Sequence, residues 1–113
     1  MTATATTVGL VDTTAPASTL QQIQWAVAAG TGDAITAAYP TAVAALSDGL
    51  ALSFRALAAN TIVNPTFAPD ELTPYPIKKQ NLQALGIGDI AGNGHEIMVR
   101  FNDANKCWLW VNR

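Results

Sequence analysis

Turn-forming residues interrupt this 113-residue chain about every ten positions, and that spacing limits it to short elements. Gly30-Thr31-Gly32-Asp33, Ser47-Asp48-Gly49, Gly92-Asn93-Gly94 and Asn102-Asp103-Ala104-Asn105 each close an apolar run, and Pro65, Pro69, Pro74 and Pro76 crowd the segment between Asn60 and Pro76. Helices shorter than a dozen or so residues are marginal in water, whereas strands of four to eight residues tolerate this punctuation. The runs alternate as strands do. Ile35, Ala37 and Tyr39 share one face, Leu50, Leu52, Phe54 and Ala56 another, and Tyr75, Ile77 and Lys79 a third. The prolines confine 60–76 to edge strands, bulges and turns, with Phe67 as its core anchor. Five to seven such strands predict a mainly β fold, a small antiparallel β-sandwich or barrel.

The N-terminal part is different in character. Residues 1–17 are rich in Thr and Ala and read as an extended arm. Residues 18–30 carry two patterns at once. Ser18 and Gln21 have capping-box spacing, and Leu20, Ile23 and Val27 follow at helical intervals, which predicts one short helix. Ile23, Trp25 and Val27 also alternate at period two, which predicts a strand. On either reading the segment needs something to dock on, so Leu20, Ile23, Trp25 and Val27 form a candidate docking segment, leaving 31–113 as the β-rich module. The N-terminus has neither a basic region nor an unbroken apolar core of the kind a secretion signal requires, and no run is long enough for a membrane span.

The strongest single signal is at the C-terminal end, HEIMVRFNDANKCWLWV, where two apolar runs flank a polar tetrad and predict a hairpin. Loop length then sets which way the aromatics point. A four-residue loop pairing Phe101 with Lys106 puts Trp108 and Trp110 on the core face with Ile97 and Val99. A three-residue loop pairing Phe101 with Asn105 turns both outward beside Met98, because a one-residue slip exchanges the faces of a strand. Outward, Trp108, Trp110 and Met98, together with Tyr75, would serve a subunit interface or stack on sugar rings.

Chemistry-bearing residues are few. His95 is the sole histidine and Cys107 the sole cysteine, so there is no thiolate metal cluster or disulfide framework, and the hairpin geometry separates the two along the ladder. Cys107 reads as a small packed hydrophobe, and His95 as a turn residue. The carboxylates Asp48, Asp70, Glu71, Asp89, Glu96 and Asp103 fall at turns and strand ends. Gly86-x-Gly88-x-x-x-Gly92 lacks both the spacing and the following helix of a phosphate-binding loop. The sequence therefore points to no catalytic site, metal or cofactor, and the function expected is not enzymatic. Six Lys and Arg, a net charge of −2, and no basic cluster beyond Lys78-Lys79 exclude a nucleic-acid backbone as partner. Charged residues make up 12% of the chain, against about 25% in an ordinary soluble domain. A surface so sparsely charged favours burial against other subunits, the alternative being a monomer coated with Thr, Asn and Gln.

The stretch from Trp25 to Asn112 resembles a module of bacteriophage and prophage tail fibres. The resemblance is carried by AVAAGTGDAITAAYPTAVAALSDGL, FRALAANTIVNPTFAPDELTPYPIKK, QALGIGDIAGNGHEIMVRFN and the closing WLWVN, about four-fifths of the chain. These are turns and strand faces, none of them catalytic. Two places depart from the family pattern: Gln80-Asn81-Leu82 stand where glycines are common, and Asp70-Glu71 replace a usual Asn-Gly. The resemblance implies a structural virion protein, a tail-fibre or tail-appendage module of the host-attachment apparatus, assembled in the bacterial cytoplasm. It implies other tail or fibre proteins as partners and a homo-oligomer, often a trimer. Receptor recognition of a host surface glycan through exposed aromatics is the alternative reading.

Overall fold

The computed structural model describes residues 23–113, which form eight strands in one mixed sheet. They are β1 (Gln24–Val27), β2 (Ala29–Gly30), β3 (Ala34–Ala37), β4 (Ala51–Arg55), β5 (Thr66–Pro69), β6 (Tyr75–Lys78), β7 (Glu96–Asn102) and β8 (Cys107–Trp110). The spatial order is β1-β4-β7-β8-β6-β5-β3-β2. Its two outermost strands are consecutive in sequence, with only Ala28 between them. One extended segment, 24–30, thus carries the chain from one edge to the other and nearly closes the sheet into a barrel. Ala28 is buried and its N–H donates to the Arg55 carbonyl (3.0 Å) at this crossover.

The fold is mainly β, as the turn spacing predicts, but the sheet is mixed rather than antiparallel. Pairs β1–β4, β3–β5 and β6–β8 are parallel. Their connections are long enough for crossovers, which parallel pairing requires and tight hairpins cannot supply. The prolines do not keep their segment at an edge either. β5 and β6 lie inside the sheet, joined by only two residue pairs, Thr66–Pro76 and Phe67–Tyr75. Pro69 sits at the last position of β5, so the ladder loses little.

No helix forms among the described residues. Ser18, Leu20 and Gln21 lie outside them, and 24–30 is strand, with Ala26 and Ala28 inside and Ile23, Trp25 and Val27 outside. The large residues point out because the interior is already filled. Ala26 is in register with Phe54, and Phe54 stacks on Phe67 with ring centroids 4.8 Å apart. Phe67 meets Trp108 edge-on at 5.1 Å, and Trp108 meets Phe101 likewise at 5.1 Å. Against that stack only a methyl fits at the β1 wall, and close packing makes the smallest side chain the inward one.

The terminal hairpin has a four-residue loop, Asp103 to Lys106, pairing Asn102 with Cys107 and Phe101 with Trp108. This register differs by two residues from a pairing of Phe101 with Lys106. An even slip keeps every side chain on its face, so Trp108 and Trp110 are core. Asn102 Oδ1 accepts the Asn105 N–H (3.0 Å) and closes the turn.

Among the described residues four non-glycine residues have left-handed backbone: Asp70 (φ 47°), Glu71 (φ 65°), Leu82 (φ 69°) and Lys106 (φ 50°). Such a backbone favours glycine and costs roughly 1–2 kcal/mol for another residue. At Asp70 the cost is offset, because its carboxylate accepts the N–H groups of Tyr39 (3.2 Å) and Val43 (2.8 Å). Among the described residues, Glu71 and Leu82 have no comparable side-chain bond.

Candidate functional site

The aromatics expected at a binding face divide sharply. Trp108 and Trp110 are 0% and 2% exposed, and the Trp108 Nε1–H donates to the Phe67 carbonyl (3.1 Å). They offer no face to a partner or a sugar, which corrects their candidacy as stacking residues. The terminal hairpin places them in the barrel interior. Tyr75 and Met98 are half-buried, Tyr75 with its ring tilted against Phe101 at 5.5 Å. The exposed indole is Trp25. It projects from β1 between Ile23 and Val27, and the three are 42%, 42% and 54% exposed. Leu20, the fourth residue of the candidate docking segment, lies outside the described residues.

Trp25 is held by two residues that sequence reasoning missed. Across the parallel β1–β4 pair and the antiparallel β4–β7 pair, Val27, Arg55 and Glu96 occupy one row and Trp25, Ser53 and Met98 the next. The Trp25 Nε1–H donates to Glu96 Oε1 (2.8 Å), the Arg55 Nε–H donates to Glu96 Oε2 (2.8 Å), and the guanidinium lies 4.9 Å from the indole centroid. The Arg55 hydrogen bond, followed by that of Trp25, holds the Glu96 carboxyl below the usual carboxylate range. The outward position of Arg55 is visible in the alternation of β4. Its meeting with residues 25 and 96 needs the strand order.

One end of the barrel forms a second surface. Asp33, in the turn after β2, accepts N–H groups from Thr61 (2.6 Å) and Ile62 (3.2 Å) and the Thr61 hydroxyl. Those bonds, the Thr61 hydroxyl foremost, keep its carboxyl below the ordinary value. Asn60, 1% exposed, donates through Nδ2 to the carbonyls of Ile62 (2.8 Å) and Gly86 (3.0 Å), while its Oδ1 accepts the Ile90 N–H (3.0 Å). Two loops are thereby fastened to one side chain. They present Ile62, Val63 and Ile87 to solvent at 47%, 45% and 69% exposure. A Cβ on Gly32 would run into the Ala59 carbonyl oxygen, so the β2–β3 turn is packed tightly against the same loop.

Among the described residues, His95 and Cys107 do not meet. His95 accepts the Ala91 N–H through Nδ1 (3.0 Å) and packs edge-on against Trp110 at 5.3 Å, a turn role as read from the sequence. Cys107 lies at the opposite end of β7, paired with Asn102, roughly 23 Å along the ladder from His95. Burial pushes its thiol above the ordinary value, which disfavours the nucleophilic thiolate. Among the described residues no cluster of three His, Cys, Asp or Glu side chains is placed to hold a metal ion. Comparison with known proteins adds no assignment: no family model matches the chain, and no curated protein matches it.

Proposed function

We propose that this chain is a structural module of a bacteriophage tail appendage that assembles with copies of itself and with other virion proteins. The observation that carries the assembly role is the barrel end at Ile62, Val63 and Ile87. A buried asparagine and a multiply bonded aspartate hold its loops in place while leaving three large apolar side chains in water. Preordered loops lose little entropy on docking, and exposed apolar residues gain by being covered. The resemblance of residues 25–112 to tail-fibre modules supports the virion setting.

Light scattering coupled to size exclusion tests the assembly. The full chain at micromolar concentration is expected to run as an oligomer of its 11.8 kDa protomer. Replacing Ile62 and Ile87 together by Asp, at positions where charge does not disturb the core, is expected to shift it toward the monomer. A wild-type chain that is monomeric at that concentration would overturn the reading.

A further inference from the structure

The barrel is left unpaired along one seam, between β1 and the segment 38–41 that follows β3. β2 and β3 pair Ala29 with Thr36. The same register continued would set Val27 opposite Ala38 and Gln24 opposite Thr41, but the ladder stops at Ala29. Backbone groups of successive strand residues point alternately to the two sides, and the Ala28 N–H points to β4. Gln24 and Ala26 therefore turn their backbone to β4, while the N–H and C=O groups of Trp25 and Val27 point into the seam. Among the described residues neither has a backbone partner there. On the other wall, the Asp70 N–H donates to the Ala37 carbonyl (2.8 Å), so the backbone groups of Ala38 turn toward the same seam, again without a partner among the described residues.

Side chains span the gap instead. From β1, the Gln24 amide donates to the Thr41 carbonyl and accepts the Thr41 N–H, both at 2.8 Å. From the other wall, Tyr39 is buried and donates its hydroxyl to the Ser53 carbonyl of β4 (3.0 Å), passing beneath β1. These two side chains floor the seam and hold its walls apart. Its mouth is a depression of about 480 Å³ lined by Ile23, Gln24, Pro40 and Thr41. Unpaired backbone groups at a sheet edge are a template for an added strand. A slot walled on both sides admits a single strand but not the edge of a second barrel. The nearest candidate is the chain's own N-terminal part. Residues 1–22 lie outside the described residues and lead into Ile23 at the mouth of the seam. Within them, Thr6-Thr7-Val8-Gly9-Leu10-Val11 is a β-favouring run. Residues 12–22 suffice for a return beside β1, and so short a tether holds the run at an effective concentration in the millimolar range. With alternate residues on opposite faces, Val8 and Leu10 stand outward beside Trp25 and Val27, while Gly9 faces the floor that Gln24 and Tyr39 already fill.

We propose that the open edge of β1 is a strand-acceptor site, and that residues 7–11 of the same chain add to it as an antiparallel strand and fill the seam. The proposal is independent of the assembly role, and either can fail while the other stands.

Native-state amide exchange of the full-length protein, read by ¹⁵N NMR, tests the pairing. The Trp25 and Val27 amides are expected to exchange about tenfold or more slowly than an unpaired strand edge. Gly9→Pro and Leu10→Pro, made separately, remove donors that point to opposite sides of the added strand. At least one of them should return Trp25 and Val27 to unprotected exchange, while Ala26, which faces β4, stays protected and shows that the barrel is intact. In an equimolar mixture of labelled and unlabelled copies refolded together, isotope-filtered NOEs between 7–11 and β1 are expected within one copy only. Free exchange at Trp25 and Val27 in the wild type overturns the proposal. Protection that survives both proline variants would mean that something other than 7–11 covers the edge, and NOEs between copies would make the occupant a second copy's segment; each also overturns it.

Discussion

Asn60 is the side chain whose loss should be felt most widely, and its cost can be worked out bond by bond. Asn60→Ala removes three side-chain hydrogen bonds, to Ile62 O, Gly86 O and from Ile90 N–H. Ile62 is exposed and Gly86 half-buried, so water can reach their carbonyls, and each lost bond costs a net ~1 kcal/mol. Ile90 is fully buried, and its N–H, left without a partner, costs about 1–3 kcal/mol. The sum is about 3–5 kcal/mol, a large part of the roughly 5–15 kcal/mol that keeps a domain of this size folded. Urea unfolding followed through the buried Trp108 and Trp110 should show a much lower midpoint with an unchanged slope. Native-state amide exchange should quicken in both 60–64 and 85–90, because one side chain fastens both loops. A variant within about 1 kcal/mol of wild type, with exchange unchanged, would refute the view that Asn60 holds this end of the barrel together.

Two further predictions concern charge and backbone. The Asp33 carboxyl is depressed in the folded state, so its contribution to stability is complete above the unfolded value of about 4 and is lost as pH falls through the lower folded value. Asp33→Asn should therefore flatten the decline in stability below about pH 4, and denaturant unfolding on either side of that pH checks it; an equally steep decline would refute the assignment. Glu71→Gly should stabilise the chain by about 0.5–1 kcal/mol, because relief of a left-handed backbone outweighs the added freedom of the unfolded glycine. A rise of roughly 2–8 °C in Tm is expected, and a fall would show that the Glu71 side chain makes up the backbone cost.

Much of the fold could be read from local pattern. The alternation of Ile35, Ala37 and Tyr39 and of Leu52, Phe54 and Ala56 marks residues that are buried, and Gly92 and Gly94 have the positive φ expected of their turn. Local pattern misled where it equated size with burial. In 23–28 the large residues face water and the alanines face the core, because Phe54, Phe67 and Trp108 arrive from distant segments and take the interior volume. The same blindness hid the Trp25 cluster. Trp108 and Trp110 stand out in the sequence because their neighbours are apolar, while Trp25 meets side chains thirty and seventy-one residues away.

The sequence by itself determined that this chain is built of short strands, where its turns fall and which face of most strands is apolar, since all three depend on neighbouring residues. Only the tertiary structure decided the parallel pairings, the near closure of the barrel through Ala28, the burial of Trp108 and Trp110, and the meeting of Trp25, Arg55 and Glu96. These depend on strand order and on competition for a limited interior volume. Segments far apart in the chain settle both together, so no local window contains the answer.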